Sequence, residues 1–271
     1  MATATQNRKV LKSSNYYSLE MDRQYMSVSQ FKKFLECEAK TMAVLNGDYE
    51  DPPNKAMIVG SYVHAAFESD EVFNRFVEDH NGIIYNTRGN KYADFKLADL
   101  MIETLKSDPF AMFALEGEKE QIMTADLFDC DWKMKVDSIN HERKYFADIK
   151  TTRNIFEKHW STKYDGWVSF IEKWDYVLQM AIYRKIIEQN TGELYTPYIV
   201  AVSKETLPNK AVIHFDESRF DFEYQYVEAY MDRILDVKNG KEKPTRCEKC
   251  EYCKSTKKLE GTIEVGDLIY V

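Results

Sequence analysis

WKMKVDSINHERKYFADIKTT, Trp132 to Thr152, reads as two adjacent strands. Polar and apolar residues alternate from Lys133 to Ile139, a charged turn covers Asn140 to Lys144, and a second strand runs from Tyr145 to Lys150. Asp137 falls late on the first strand. Asp148 and Lys150, two apart on the second, point to one face. A hairpin therefore gathers three charges. Two carboxylates converging at a sheet edge repel unless a divalent cation lies between them, and an oxygen ligand set suits Mg²⁺ or Mn²⁺. The lysine beside them can orient a water or stabilise charge on a phosphate. This is a layout for metal-dependent phosphodiester hydrolysis. The plain alternative is a solvated hairpin whose Asp and Lys pair across the surface.

Upstream, residues 1–26 are polar and read as an arm or strap. SVSQFKKFLECEAKTMAVL from Ser27 has a serine N-cap and apolar residues at helical spacing, with Cys37 on the helix or just beyond it. After Pro52-Pro53 a helix is expected from Lys55 to about Asp79. It places His64 and Glu68 four apart on one face, although a single histidine on a mixed face is more often structural than a ligand. Asn81 to Asn90 reads as a loop and Lys91 to Lys106 as an amphipathic helix. Glu116, Glu118 and Glu120 alternate into a strand that leads to a loop ending at Cys130, a packing residue.

Downstream, Trp167 to Glu188 reads as one long helix with Trp174, Val177, Leu178, Ala181, Ile182 and Ile186 as its stripe. Gln179 and Tyr183 sit one turn apart, able to reach a phosphate or a base, or to order a water; a flank satisfied by solvent is the alternative. TPYIVAVSKE and KAVIHFDES read as strands and Glu217 to Val237 as a helix. The order implies an α/β fold, a central mixed β-sheet flanked by helices, with no glycine-rich phosphate loop.

The 271 residues are 44% hydrophobic and 14% aromatic, enough for a full core, and are expected to form a single domain over 1–271. No apolar run approaches a membrane span and no secretory leader is visible, so a cytoplasmic protein is expected. The net charge of −8 argues against a broad nucleic-acid-coating surface but not against a local groove. Five cysteines in such a chain point to metal rather than to disulfides. CEKCEYC holds Cys247, Cys250 and Cys253, which cannot all be buried hydrophobes in so charged a segment. A tetrahedral Zn²⁺ or an Fe–S cluster needs a fourth ligand, for which Cys37 is the natural candidate. Three exposed reduced thiols without metal are the alternative.

Asp137, then Asp148-Ile149-Lys150-Thr151-Thr152, then Gln179-x-x-x-Tyr183, with His64 upstream, resembles the PD-(D/E)XK nucleases of the RecB and RecE type. The resemblance spans roughly Ser27 to Cys253. SVSQFKKFLECEA combined with the C-terminal cysteines further resembles the iron–sulfur branch, and the chain as a whole looks most like phage RecE-like exonucleases. The even spacing of the last three cysteines departs from that branch, which more often has a longer final gap. The resemblance implies that Asp137 and Asp148 bind Mg²⁺ or Mn²⁺, helped by His64 and the carbonyl of Ile149. Lys150 would position or activate water, and Gln179 and Tyr183 would hold the DNA or the lysine. Glu120 would be an accessory group outside the metal's own ligands. Cys37, Cys247, Cys250 and Cys253 would hold a structural [4Fe–4S] cluster, with Zn²⁺ as the alternative, and the tail 241–271 would pack on the N-terminal helix.

The implied function is a DNA exonuclease preparing double-strand ends for phage recombination in the host cytoplasm. It would work with a single-strand annealing recombinase, with no membrane partner, and as a homo-oligomer in some states. A repair or CRISPR-adaptation nuclease of the same fold, and an inert metal-stapled DNA-binding module, are the alternatives.

Overall fold

The structure of the protein, a computed structural model, describes residues 10–52, 54–259 and 261–266. Residues 1–9 of the expected arm, Pro53 of the Pro52-Pro53 break and residues 267–271 of the tail lie outside the described residues. In chain order the elements are α1 (Leu19–Gln24), α2 (Val28–Glu36), α3 (Glu38–Asn46), α4 (Lys55–Glu68), α5 (Asp70–Asp79), α6 (Asn81–Ile84), α7 (Ala93–Lys106), α8 (Pro109–Ala114), β1 (Glu118–Leu127), β2 (Cys130–Asn140), β3 (Tyr145–Thr152), β4 (His159–Ser161), β5 (Gly166–Val168), α9 (Phe170–Lys173), α10 (Tyr176–Thr191), β6 (Thr196–Ser203), β7 (Lys210–His214), α11 (Ser218–Lys238) and α12 (Glu251–Ser255).

Five strands form one mixed sheet in the order β1-β2-β3-β6-β7. β2 and β3 are antiparallel, β3 and β6 parallel, β6 and β7 antiparallel. The decisive hairpin is therefore present, with β3 at the centre of the sheet. Both faces of β3 are covered, which is why YFADI is buried at every position rather than at alternate ones. The parallel β3–β6 pair requires a long connection, and the chain fills it with a two-stranded β4–β5 hairpin, α9 and α10.

The helix that starts after Ser27 ends with Cys37 just beyond it, as expected, whereas two expected long helices are broken. Cys37, in extended conformation, closes α2 and opens α3, its sulfur accepting the Lys40 N–H. Ser69 divides the expected 55–79 helix, its hydroxyl accepting the Val72 N–H at 3.2 Å. Trp167 to Glu188 is not one helix either. Its start belongs to β5, a Ser169–Glu172 capping box opens α9, and Asp175 at φ 54° turns the chain before α10. Trp174 consequently leaves the apolar stripe and is 50% exposed, while Val177, Leu178, Ala181, Ile182 and Ile186 are buried. Asn81–Ile84 is a short helix inside the expected loop, and Cys130 opens β2 instead of ending a loop. The arm is not irregular over 13–24: a 3₁₀ turn and a Ser18-capped α1 carry Met21 into full burial.

The chain divides into two compact units, with β1, β2 and α11 each contributing residues to both. In the unit of residues 54–125 and 134–225, α4 and α7 pack Val59, Tyr62, Val63, Phe95 and Met101 against Ala147 and Ile149 of β3 and Val200 and Val202 of β6. In the unit built from segments before 52, 126–133 and after 226, Met26 bridges to Trp132, and Phe31 lies 6.2 Å from the Trp132 ring. Buried Lys133 is held there by Asp22 at 2.7 Å and by the Tyr16 carbonyl. Arg233 forks onto Glu38 at 3.0 and 2.7 Å, a geometry suited to guanidinium and carboxylate.

Candidate active site and cysteine cluster

β2 and β3 pair from Asn140↔Tyr145 to Ser138↔Ala147. Just beyond, the Asp137 carboxylate accepts the Ile149 N–H at 2.7 Å, taking a backbone donor with a side chain. The same Oδ2 lies 3.1 Å from His64 Nδ1 of α4. Asp148 follows on β3 and is only 2% exposed. Its Oδ1 accepts from Gln179 Nε2 of α10 at 2.7 Å, and its Oδ2 faces Lys150 Nζ at 2.5 Å. Oδ2 has no well-directed hydrogen bond, so that contact is chiefly ionic. Five residues expected from the sequence, His64, Asp137, Asp148, Lys150 and Gln179, are thus drawn together by two strands and two helices. Burial removes the solvated-hairpin alternative.

Two outcomes differ from expectation. Gln179 holds the Asp148 carboxylate, not the lysine. Tyr176, unremarked in the sequence, lies under Lys150, with Nζ 4.6 Å from its ring centroid. Its place three residues before Gln179 on one helical face is the signal that could have found it. Tyr183 stands one turn beyond Gln179, half-buried. Glu120, in a left-handed conformation at φ 52°, is paired with Lys135.

The charges respond to this crowding. Burial works against ionising Asp137, but His64, Lys150 and the Ile149 N–H hold its carboxyl below the usual range. Burial and the neighbouring Asp137 charge push Asp148 up. Burial disfavours protonated His64, yet the two aspartates carry it above 6.5. Lys150 is likewise raised despite burial, by Asp148, Tyr176 and Asp137, and is an ammonium at neutral pH. Burial raises Glu120, with the Asp137 charge adding to the effect. The two aspartates share one pocket in which one of them ionises only reluctantly. That is the condition a divalent cation relieves, and the donor set of two carboxylates and an imidazole fits Mg²⁺ or Mn²⁺.

In the other unit, Cys37, Cys247, Cys250 and Cys253 place their sulfurs within 4.8 Å of one another. Sγ–Sγ distances are 3.5 Å for Cys37–Cys253, 3.8 Å for Cys250–Cys37 and 3.9 Å for Cys247–Cys253. The tail segment reaches α3 through the Ala39 N–H, which donates to the Thr245 carbonyl at 3.0 Å. Burial opposes ionising Cys247, but the Lys249 and Cys250 N–H groups bring its thiol down to about 6. Burial instead pushes Cys253 up to about 12. Four thiols at this spacing can hold a metal; Cys130 is not among them.

A mixed sheet flanked by helices, with Asp137, Asp148 and Lys150 at the fork of two central strands, defines a PD-(D/E)XK-type nuclease core. The chain belongs to the family described as "PDDEXK-like domain of unknown function (DUF3799)", whose pattern matches residues 27–256. It is similar to the crystal structure of a "Putative exonuclease" from Eubacterium rectale, at 36% identity over 96% of this chain and 98% of that one, with a TM-score of 0.91. A second solved structure, SSO0001, is 15% identical over 83% of this chain and 91% of that one, with a TM-score of 0.31, too low to carry an argument. No curated protein matches the chain. Among the described residues no helix is long and apolar enough to cross a membrane.

Proposed function

We propose that the protein is a Mg²⁺- or Mn²⁺-dependent DNA exonuclease that processes double-strand ends for phage recombination. The observation that carries this reading is the buried Asp148 carboxylate, set beside Asp137 and faced by the Lys150 ammonium at 2.5 Å. Asp137, Asp148, His64 and the Ile149 carbonyl would hold the cation. When bound, it lowers the pKa of a water and offsets charge on the phosphate. Lys150, braced by Tyr176, places a cation where negative charge grows on the phosphate oxygens and stands where it would position or activate the attacking water. Gln179 fixes the Asp148 carboxylate by occupying Oδ1. Glu120 and Lys135 form a paired outer layer, and Tyr183 is assigned to the DNA strand. The name carried by the Eubacterium rectale relative supports the exonuclease mode, and a single-strand annealing recombinase would be the partner that consumes its product.

The cysteine cluster is proposed as a structural metal site. Zn–S bonds of ~2.3 Å give a tetrahedron with edges of about 3.8 Å; three thiol pairs stand at 3.5, 3.8 and 3.9 Å, and all four sulfurs lie within 4.8 Å of one another. A [4Fe–4S] cluster, which the family resemblance implies, inserts iron atoms between its ligands and requires the sulfurs to spread. Colour separates the two: a cluster absorbs visible light and d¹⁰ zinc does not.

The direct test is digestion of end-labelled linear and covalently closed circular DNA with Mg²⁺, Mn²⁺ or EDTA. Metal-dependent loss of label from linear DNA with the circle intact is expected. Cutting of the circle would indicate an endonuclease of the same fold, as in repair or CRISPR adaptation, and binding without cutting an inert DNA-binding module.

A further inference from the structure

Three of the four tryptophans fall within fifteen residues, and all three are exposed: Trp160 by 48%, Trp167 by 69% and Trp174 by 50%, whereas Trp132 is fully buried. Trp160 on β4 lies opposite Trp167 on β5, ring centroids 5.8 Å apart and nearly perpendicular. His159 stands 6.3 Å from the Trp174 ring. Indole is a large apolar group that chains normally bury, so a contacting pair in water, with a third exposed indole seven residues on, marks a segment with an occupant.

The hairpin that presents them is fixed from beneath. Lys163, in its turn, donates to Glu223 Oε2 at 2.5 Å and to Asp175 Oδ1 at 2.9 Å, and the Tyr164 hydroxyl donates to the other Glu223 oxygen. Glu223 is fully buried. Nothing in the proposed cleavage uses these groups. Asp175 is also the left-handed residue that opens α10, so one polar network sets both the hairpin and the helix carrying Tyr176 and Gln179. Trp174 stands two residues before Tyr176, whose ring braces Lys150. The Lys163–Asp175 bond and the two-residue step from Trp174 to Tyr176 thus tie the tryptophan-bearing segment to the start of α10, the helix that carries Tyr176 and Gln179.

We propose that Trp160, Trp167 and Trp174 form a stacking platform for the unpaired bases of the DNA strand entering the active site, an inference that rests on the nuclease reading. The occupant follows from that tie to α10 and from the composition of the surface. Its exposed apolar groups are flat indoles, which stack on any base. Lys158 and Lys173 are exposed on the same stretch, with Lys173 Nζ 2.9 Å from the Trp160 carbonyl, where phosphates would pass. The chain as a whole, with a net charge of −8, offers no general attraction to DNA.

Intrinsic fluorescence tests this directly, since three of four indoles are in the proposed contact. Oligothymidylate added to the full chain in EDTA should quench emission and bind, and an abasic strand of equal length should bind at least several-fold more weakly. W160A/W167A should weaken oligothymidylate binding on the order of ten-fold or more, as loss of one or two stacked bases does, with far-ultraviolet circular dichroism unchanged. Unquenched wild-type emission, equal affinity for the abasic strand, or unchanged binding by the folded double variant would each overturn the platform. Concentration-dependent blue shift without DNA would show a second copy of the chain covering the indoles, and would overturn it too. The two readings fail separately: quenching without metal-dependent cleavage removes the nuclease and keeps the platform, and cleavage without quenching does the reverse.

Discussion

His64 and Asp137 hold each other as an ion pair only while the imidazole keeps its proton, and a metal ligand must give that proton up. The pair raises His64 above its ordinary value, so protons compete with metal at a higher pH than they would for a free imidazole. The sign is definite: as pH falls through the raised value, His64 charges and metal binding weakens. Cleavage at limiting Mn²⁺ should therefore decline on acidification and be recovered by more Mn²⁺, and His64→Ala should flatten that limb while raising the Mn²⁺ requirement. A pH–rate profile at two Mn²⁺ concentrations checks it; identical limbs in both proteins would return His64 to a structural role. Asp148→Asn and Lys150→Ala should each lower turnover on the order of 10²-fold or more, as loss of a single electrostatic group at a reacting centre does. Their circular dichroism should match wild type. Both carboxylates and the lysine were legible in the sequence because a strand's two-residue period and a charged turn fix which side chains meet. Tyr176 was not, since its role depends on how α10 is set against β3, and no local pattern encodes that.

At the scale of elements, the sequence misled wherever one apolar stripe ran through a hidden cap. Ser69 and Asp175 interrupt helices whose spacing continues unbroken past them. Ser69 carries a familiar capping chemistry and could have been read. Asp175 could not, because its left-handed turn is supported by Lys163, twelve residues away. The β4–β5 hairpin escaped for another reason: strands of three residues are too short to show a period. Gly117, at φ 133° just before β1, was also silent, and a Cβ there would meet the Ile139 carbonyl oxygen at 2.2 Å. Since that neighbour is backbone within a strand, Gly117→Ala should destabilise by at least ~1–3 kcal/mol, the usual cost of such strain. Chemical denaturation would measure it, and an unchanged midpoint would mean that the β1–β2 edge yields more easily than its packing indicates.

For the molecule as a whole, the four thiols were the most legible feature, because three cysteines at even spacing in a charged tail have few other uses. What the sequence could not fix was their separation, which depends on α3 and the tail meeting. Cys37→Ser should release bound metal as completely as Cys250→Ser and lower the melting temperature of the unit, whereas Cys130→Ser should keep the metal. Metal analysis with thermal melting decides this, and full metal in Cys37→Ser would remove it from the ligand set. Acid should also release the ion, because protons compete for the thiolates: Cys253, at about 12, holds its proton most firmly, and Cys247, at about 6, yields first. Metal occupancy should thus fall as pH is lowered.

The placement of Cys37 has a consequence for the order in which the chain is made. Cys37 leaves the ribosome 216 residues ahead of Cys253, and Phe31 emerges long before Trp132. The N-terminal helices must therefore wait for residues 126–133 to reach their apolar faces, and Cys37 waits longer still, for the thiols of the tail. The other unit, drawn from the middle of the chain, can assemble first. Residues 126–133 cover part of the early segment and the last segment closes the rest, so a nascent chain stalled before Cys247 would carry a finished catalytic sheet and a Cys37 without its partner thiols.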